Sequence, residues 1–389
     1  MTLKQRLAKQ NKTIKNDHQW RERKVRHGSV NRLSLVDAQE KILFCSSDYL
    51  GLSAHPLMQS ALTNATIKYG VGSGSSALVA GYHRETQKLE IALASWLEVE
   101  SCMVFSNAYM ANLAWASSLI ERHDAIWMHR HNHASLWDGC RLTHACIHRY
   151  NDLPTPEKIK LSDHSLHWII SDAVFSMTGQ CPNFADLIAI DQASTQHELV
   201  LDDAHGIGVF GPKGRGSLAH FGHHPTQVRA IIGGFGKAFG CYGGFIAGEN
   251  DLIEMLYQKA RSYRFTTALP TALMSTASQA LELIIASDDR REQLQANIAY
   301  FKDSVSGFGL GLQDSDHPIQ SLVLGSSEKA AALEKYLWER GIWVRAMRPP
   351  VVSESGASCR IIITANHRKS DIDQLTEALE RWQNKLILS

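Results

Sequence analysis

Residues 198–208 read Glu-Leu-Val-Leu-Asp-Asp-Ala-His-Gly-Ile-Gly, and residues 229–240 read Arg-Ala-Ile-Ile-Gly-Gly-Phe-Gly-Lys-Ala-Phe-Gly. Leu199–Leu201 and Ala230–Ile232 are short apolar runs bounded by polar or glycine positions, which suits strands buried on both faces of a parallel sheet. Each run ends in reactive side chains: Asp202, Asp203 and His205 after the first, Lys237 after the second. In open α/β sheets a ligand sits beyond the carboxyl ends of the strands, so a carboxylate, an imidazole and a lysine are expected to converge.

The local spelling discriminates among the uses of such a lysine. No glycine stands five residues before Gly236, and Ala238 follows Lys237 where a phosphate-binding loop needs a hydroxyl for magnesium. The spacing Gly234-x-Gly236-x-x-x-Gly240 also misses the dinucleotide fingerprint. A Schiff-base lysine remains, because tight and partly apolar surroundings leave an amine free to attack an aldehyde. Pyridoxal phosphate is such an aldehyde, and its pyridinium nitrogen wants an acid partner, a role that suits Asp202. A structural Asp–His pair beside a surface lysine is the plainer alternative.

Five stretches extend the reading along the chain. Ser47-Asp48-Tyr49-Leu50-Gly51-Leu52, Asn132-His133-Ala134-Ser135-Leu136, Phe175-Ser176-Met177, the Asp202–Gly208 run and Phe235–Gly240 occur in this order. In motif and spacing, over nearly the whole chain, the sequence resembles the α-oxoamine synthases, pyridoxal phosphate enzymes of fold type I. The resemblance implies an aspartate-aminotransferase-like α/β fold: a mostly parallel central sheet in a large domain, and a smaller C-terminal α+β domain. It implies Lys237 as the residue that holds the cofactor, Asp202 on its ring nitrogen, and His133 stacked on the ring. Ser176 and His205 would bond the phenolic oxygen, the backbone at Ala108 and Tyr109 would take the phosphate, and Thr266 would reach the neighbouring subunit's phosphate. It further implies a homodimer with composite sites. Arg21, His133, Arg348, Val351 and Arg360 are the substrate-binding positions it carries over, with Arg360 on the amino-acid carboxylate. Arg348-Pro349-Pro350, Arg360 and Thr364-Ala365-Asn366-His367 match best the branch that condenses L-alanine with a pimeloyl thioester, on CoA or a carrier protein, in biotin synthesis. Glycine-using and signal-making branches are the alternatives. Gly234, Val351 and Ser47 depart from the family's usual residues.

Composition agrees with a cytoplasmic enzyme. The 389 residues are 44% hydrophobic with a net charge of +1, enough for a large core and without the charge excess that nucleic acid or an anionic membrane would select. No apolar run approaches the roughly 20 residues of a membrane span. The basic, polar first 26 residues contain no apolar signal core. Seven cysteines form no C-x-x-C pair and suit reduced thiols.

Three domains are expected: a helical arm over 1–45 that packs with the C-terminal domain, a cofactor-binding domain over 46–307, and an α+β domain over 308–389. The turn Ser106–Tyr109 joins a strand at Cys102–Phe105 to a helix, and the free N–H groups of a helix start favour an anion there. His129-x-His131-x-His133 invites a zinc reading. It lacks a fourth ligand, so no metal is expected, and His129 and His131 are expected to be surface residues. In the last domain the sequence predicts strands Gln320–Leu324, Ile342–Ala346 and Arg360–Thr364, and a last helix capped from Ser370 to Asp373.

Overall fold

The computed structural model describes residues 1–155, 159 and 165–388. They form two compact units, one of Leu52–Ser176 with Cys181–Arg291, the other of Met1–Gly51, Met177–Gln180 and Glu292–Ser389.

The first unit is built on a seven-stranded sheet: β1 (Ser101–Phe105), β2 (Ala125–His129), β3 (Cys146–Tyr150), β4 (His167–Asp172), β5 (His197–Asp202), β6 (Ala230–Gly234) and β7 (Gly244–Gly248). Their spatial order is β1-β7-β6-β5-β4-β2-β3. Only β7 runs against its neighbours, so the other six strands deliver their carboxyl ends to one edge. Alternate residues feed two separate cores. Met128, Ile170, Val200 and Ile232 pack on one face with Ala111, Ala114 and Trp115 of the helix Ala108–Leu119. Trp127, Ile169, Leu199, Leu201 and Ile231 pack on the other with Leu187 and Leu218. Coverage of both faces is why these strands are apolar throughout instead of alternating. Carried one step beyond Leu201, the alternation sends Asp202 to the first face and Asp203 to the second.

In the second unit, Arg26–His27, Leu33–Val36, Gln39–Leu43 and Ile342–Trp343 form one sheet, and Ile319–Val323, Ser358–Ile362 and Arg345–Met347 another. The single expected strand Ile342–Ala346 is therefore two. Ile342 and Trp343 pair in parallel with Ile42 and Leu43, and after the buried Val344 the chain joins the other sheet opposite Ser358–Arg360. Arg360 lies in the middle of its strand, between Ser321 and Arg345, and does not begin it. The last helix starts at Lys369, ahead of Ser370. Asp371 caps it by accepting the Arg368 N–H at 2.8 Å, while Asp373 takes the Tyr300 hydroxyl at 2.6 Å.

The expected boundary at 307/308 also moves. The division falls after Arg291, within the helix Asp288–Val305. Leu294, Ile298, Phe301 and Val305 are buried along one side of that helix, and Asn297 donates to the carbonyls of Thr364 and His367. A continuous helical pattern does not show where its packing partner changes. The arm groups with the C-terminal segment as far as Gly51, six residues beyond the expected limit at 45. Its helix Leu3–Asn16 buries none of its residues and is capped by reciprocal bonds between Thr2 and Gln5.

Candidate active site

The carboxyl ends of five strands supply the site. After β1, Asn107 caps the helix Ala108–Leu119 by accepting the Met110 N–H at 2.9 Å. The other first-turn amides, at Ala108 and Tyr109, remain the donors that a helix start offers to an anion. Gly234, at the end of β6, faces that turn: a Cβ there would stand 3.5 Å from the Cβ atoms of both Ala108 and Ala204. Gly244 is required, since its Cβ would lie 2.3 Å from the Ala108 nitrogen. The glycines let the strands approach the helix start closely.

Lys237 follows β6 in a turn closed by the Gly240 N–H on the Lys237 carbonyl and the Cys241 N–H on the Phe235 carbonyl, each at 2.8 Å. Phe235 and Phe239 anchor that turn in the core, and Lys237 between them is half-buried. Gly240 has φ +60°, and a Cβ on it would meet the Ser53 nitrogen at 2.3 Å, so the turn's shape depends on glycine.

Asp202 ends β5 and is buried. Its Oδ1 accepts the Ala204 N–H at 3.0 Å, and its Oδ2 accepts from Asn112 at 2.6 Å. Across the sheet it is in register with Asp172, the last residue of β4. Burial pushes the Asp172 carboxyl well up, the Asp202 charge pushes it further, and the His133 N–H and Lys237 charge oppose. Two neighbouring buried carboxyl groups do not both ionise readily, and burial and the Asp202 charge favour the neutral form of Asp172.

His133 caps the helix Ala134–Arg141. Its backbone N–H is held by both Asp172 oxygens, at 3.2 and 3.0 Å, and Asn132 bonds the end of β4 on both sides. Although the residue is open to solvent, burial of its ring lowers its basicity; the Asp202 charge opposes that shift and the Lys237 charge adds to it. Ser176, after β4, is buried, and His205, after β5, is half-buried. Tyr109 bonds Asp138 through its hydroxyl and meets the His133 ring edge-on. Thr266 is exposed, donates to the Ser262 carbonyl at 2.9 Å, and lines a small cleft with Ser106 and Leu269.

These residues fit pyridoxal phosphate. Lys237 is an amine for its aldehyde, Asp202 an acceptor for its ring N–H, and the Ala108 turn with its glycine wall a place for its phosphate.

The substrate-binding expectations fall in the other unit. Arg21 donates to the carbonyls of Arg348 and Pro349 at 3.2 and 2.9 Å, and Arg348, itself buried, donates back to those of His18 and Trp20. The two guanidinium groups thus clasp the arm to the 348–349 loop. Val351 is exposed. Arg360 is half-buried, and burial lowers its basicity.

His129 corrects an expectation. It is half-buried, stacked on Phe175 at a centroid distance of 4.4 Å, and pushed down to about 4 by burial. Among the described residues no group of three His, Cys, Asp or Glu side chains is placed to hold a metal. Asn112, Ser135 and Asp172 were not legible as site residues. Asn112 carried a signal, as a polar residue in an apolar helix among Ala111, Ala114 and Trp115.

The family model of class I and II aminotransferases matches residues 39–379. The chain is 40% identical over 368 residues to the 8-amino-7-oxononanoate synthase of Thioalkalivibrio sulfidiphilus, which covers 93% of each. Its structure is similar to the 8-amino-7-oxononanoate synthase of Francisella tularensis, with TM-score 0.78 and 30% identity over 89% of this chain and 99% of that one. It is also similar to a serine palmitoyltransferase of Sphingomonas wittichii, with TM-score 0.90 and 26% identity over 97% of both.

Proposed function

Because this chain belongs to the class I and II aminotransferase family, and within it to the α-oxoamine synthases, we propose that its substrates are L-alanine and a pimeloyl thioester, as in 8-amino-7-oxononanoate synthesis. The chain is a pyridoxal phosphate-dependent acyltransferase that releases CO₂. The observation that carries the reading is that Asp202, His133 and Lys237 stand at or just beyond the carboxyl ends of β5, β2 and β6, with Asp202 linked to the His133 ring through Asn112 and Ser135.

Bound pyridoxal phosphate supplies a carbonyl that takes up the amino acid's nitrogen and a ring that accepts the electron pair left when Cα is deprotonated. Lys237 Nζ takes the Cα proton. The Asp202 carboxylate keeps the ring nitrogen protonated, because a buried anion stabilises the N–H beside it. His133 covers the ring face, held in place through its backbone by Asp172. Ser176 and His205 orient the ring oxygen, and the Ala108 and Tyr109 amides hold the phosphate. Arg360 takes the amino-acid carboxylate, a charge-assisted pairing that a planar guanidinium makes well. Arg21, Arg348 and Val351 serve the acyl end; there Arg348 acts by holding the arm that carries Arg21. Cα bonds to the acyl carbon, the C–S bond breaks and the thiol leaves with a proton. The β-keto acid then loses its carboxylate as CO₂ and gains a proton at Cα.

We take the working form to be a homodimer in which Thr266 serves the neighbouring site. Ile67, Val71, Val79 and Phe265 are apolar and each more than 60% exposed, a surface that a second copy would cover. Seven free thiols suit a reducing cytoplasm; no described helix is long and apolar enough to cross a membrane. The test is a matrix of amino acids against acyl thioesters, on CoA and on carrier protein, with products read by mass. L-Alanine with the pimeloyl thioester is expected to give the highest kcat/KM. Preference for glycine or an acetyl donor would move the chain to another branch.

A further inference from the structure

Between Asp202 and His133 lie polar side chains to which the reaction above gives no task, and their hydrogen bonds have a fixed direction. The indole N–H of fully buried Trp115 donates to Asn112 Oδ1 at 3.2 Å. An indole donates and does not accept. The contact therefore admits the carbonyl end of the Asn112 amide and excludes its amino end. Turned over, the amide would set two donors against each other and aim its oxygen at a carboxylate. Asn112 Nδ2 consequently donates to Asp202 Oδ2 at 2.6 Å and to Ser135 Oγ at 2.9 Å. The Ser135 hydroxyl, having accepted that bond, has one proton to give, and His133 Nδ1 is 2.7 Å away. The Ser135 backbone N–H converges on the same nitrogen at 3.3 Å. Nδ1 is thus an acceptor twice over, and the proton of the neutral ring resides on Nε2.

We infer that Trp115, Asn112 and Ser135 are positioning residues that set the tautomer of His133 and hold Asp202 through its Oδ2. His133 then presents an N–H donor from Nε2 to whatever lies against it, and Asp202 keeps one orientation toward a ring nitrogen. The inference rests on the proposed reaction for what these two residues serve. The tautomer itself is a property of the chain without cofactor, so it is measured independently of turnover.

The experiment is ¹⁵N NMR of the full chain grown with ¹⁵N-histidine, cofactor-free, with His133 assigned by its loss in His133→Gln. The wild type should show Nδ1 unprotonated and Nε2 protonated. In Ser135→Ala the closer donor is gone and only the backbone N–H at 3.3 Å is left on Nδ1, so the Nδ1-protonated tautomer should appear beside the other. In Asn112→Leu, Ser135 loses the bond that aims its proton and should show the same mixing. Asp202 also loses its donor, and the pyridoxal phosphate Kd, read by fluorescence quenching, should rise roughly tenfold or more. A role confined to packing would lower the melting temperature and leave the His133 signals in place. A protonated Nδ1 in the wild type overturns the inference, as do unchanged His133 signals in Ser135→Ala, which decides the matter alone if Asn112→Leu does not fold.

Discussion

Asp202 and Asp203 are adjacent in the chain and serve opposite sides of the sheet. Asp202 points to the face of the helix Ala108–Leu119, where it meets Asn112 and stands in register with Asp172. Asp203 points to the other face, where its oxygens accept the Ser217 hydroxyl at 2.6 Å and the Ser217 N–H at 2.7 Å. Gly206 and Gly216 make room for it, since a Cβ on either would stand 2.2 or 2.3 Å from a carboxylate oxygen. The first carboxylate is the one proposed for the cofactor's ring nitrogen, and the second ties down the loop that carries His205. One residue of strand alternation separates the two tasks.

The largest expected effect isolates the chemical side. Lys237→Ala should give no measurable turnover and no visible absorbance on adding pyridoxal phosphate, with its melting curve near that of the cofactor-free wild type. A visible band in that variant would place the amine elsewhere.

The two aspartates should then separate. Asp202→Asn is expected to lose roughly a hundredfold or more in kcat with little change in melting temperature, because an amide does not hold the ring proton. Asp203→Asn should keep turnover per folded molecule within a few-fold and lose about 1–3 kcal/mol of stability, as its amino group faces the Ser217 donors. Kinetics and urea unfolding on both variants decide it, and the same pattern in both would erase the distinction.

A smaller effect is the pH dependence of stability. Burial pushes Asp203 and Glu90 up to about 7, and Asp191 to about 6. Each binds its proton more tightly in the folded chain than in the unfolded one. Between about pH 4 and pH 7 the unfolded chain has already released protons that the fold retains, so stability should fall as pH rises through that window and level off above it. Asp203→Asn should flatten this slope, measured by urea midpoints at either end of the window; an unchanged slope would mean Asp203 is ionised throughout.

The smallest effect concerns Gly234. Its φ is not in the left-handed region, and its added Cβ would make ordinary contacts. Gly234→Thr should tighten pyridoxal phosphate binding by up to about tenfold through one hydroxyl donor. Unchanged affinity and stability together would move the phosphate away from this strand end.

Much of this was legible from strands that are apolar throughout, because two buried faces leave such a run few other structures to adopt. The residues at the ends of β5 and β6 followed directly. Asn112, Ser135 and Asp172 did not, since their meaning depends on neighbours 23 and 90 positions away from Asn112, and 39 positions from Asp172 to His133. Similarly, Ile342–Ala346 has the residues of one strand, and only its two partner strands show that it serves two sheets. His129 looked like surface in a polar stretch, but Phe175, 46 residues on, covers it.

The central claim, that pyridoxal phosphate is held by the lysine beyond β6, is tested most directly by borohydride reduction of the cofactor-loaded protein, digestion and mass spectrometry. The pyridoxyl mass is predicted on the peptide containing Lys237, at one per chain. The same mass on a different lysine, or no adduct while the protein turns over, would contradict it.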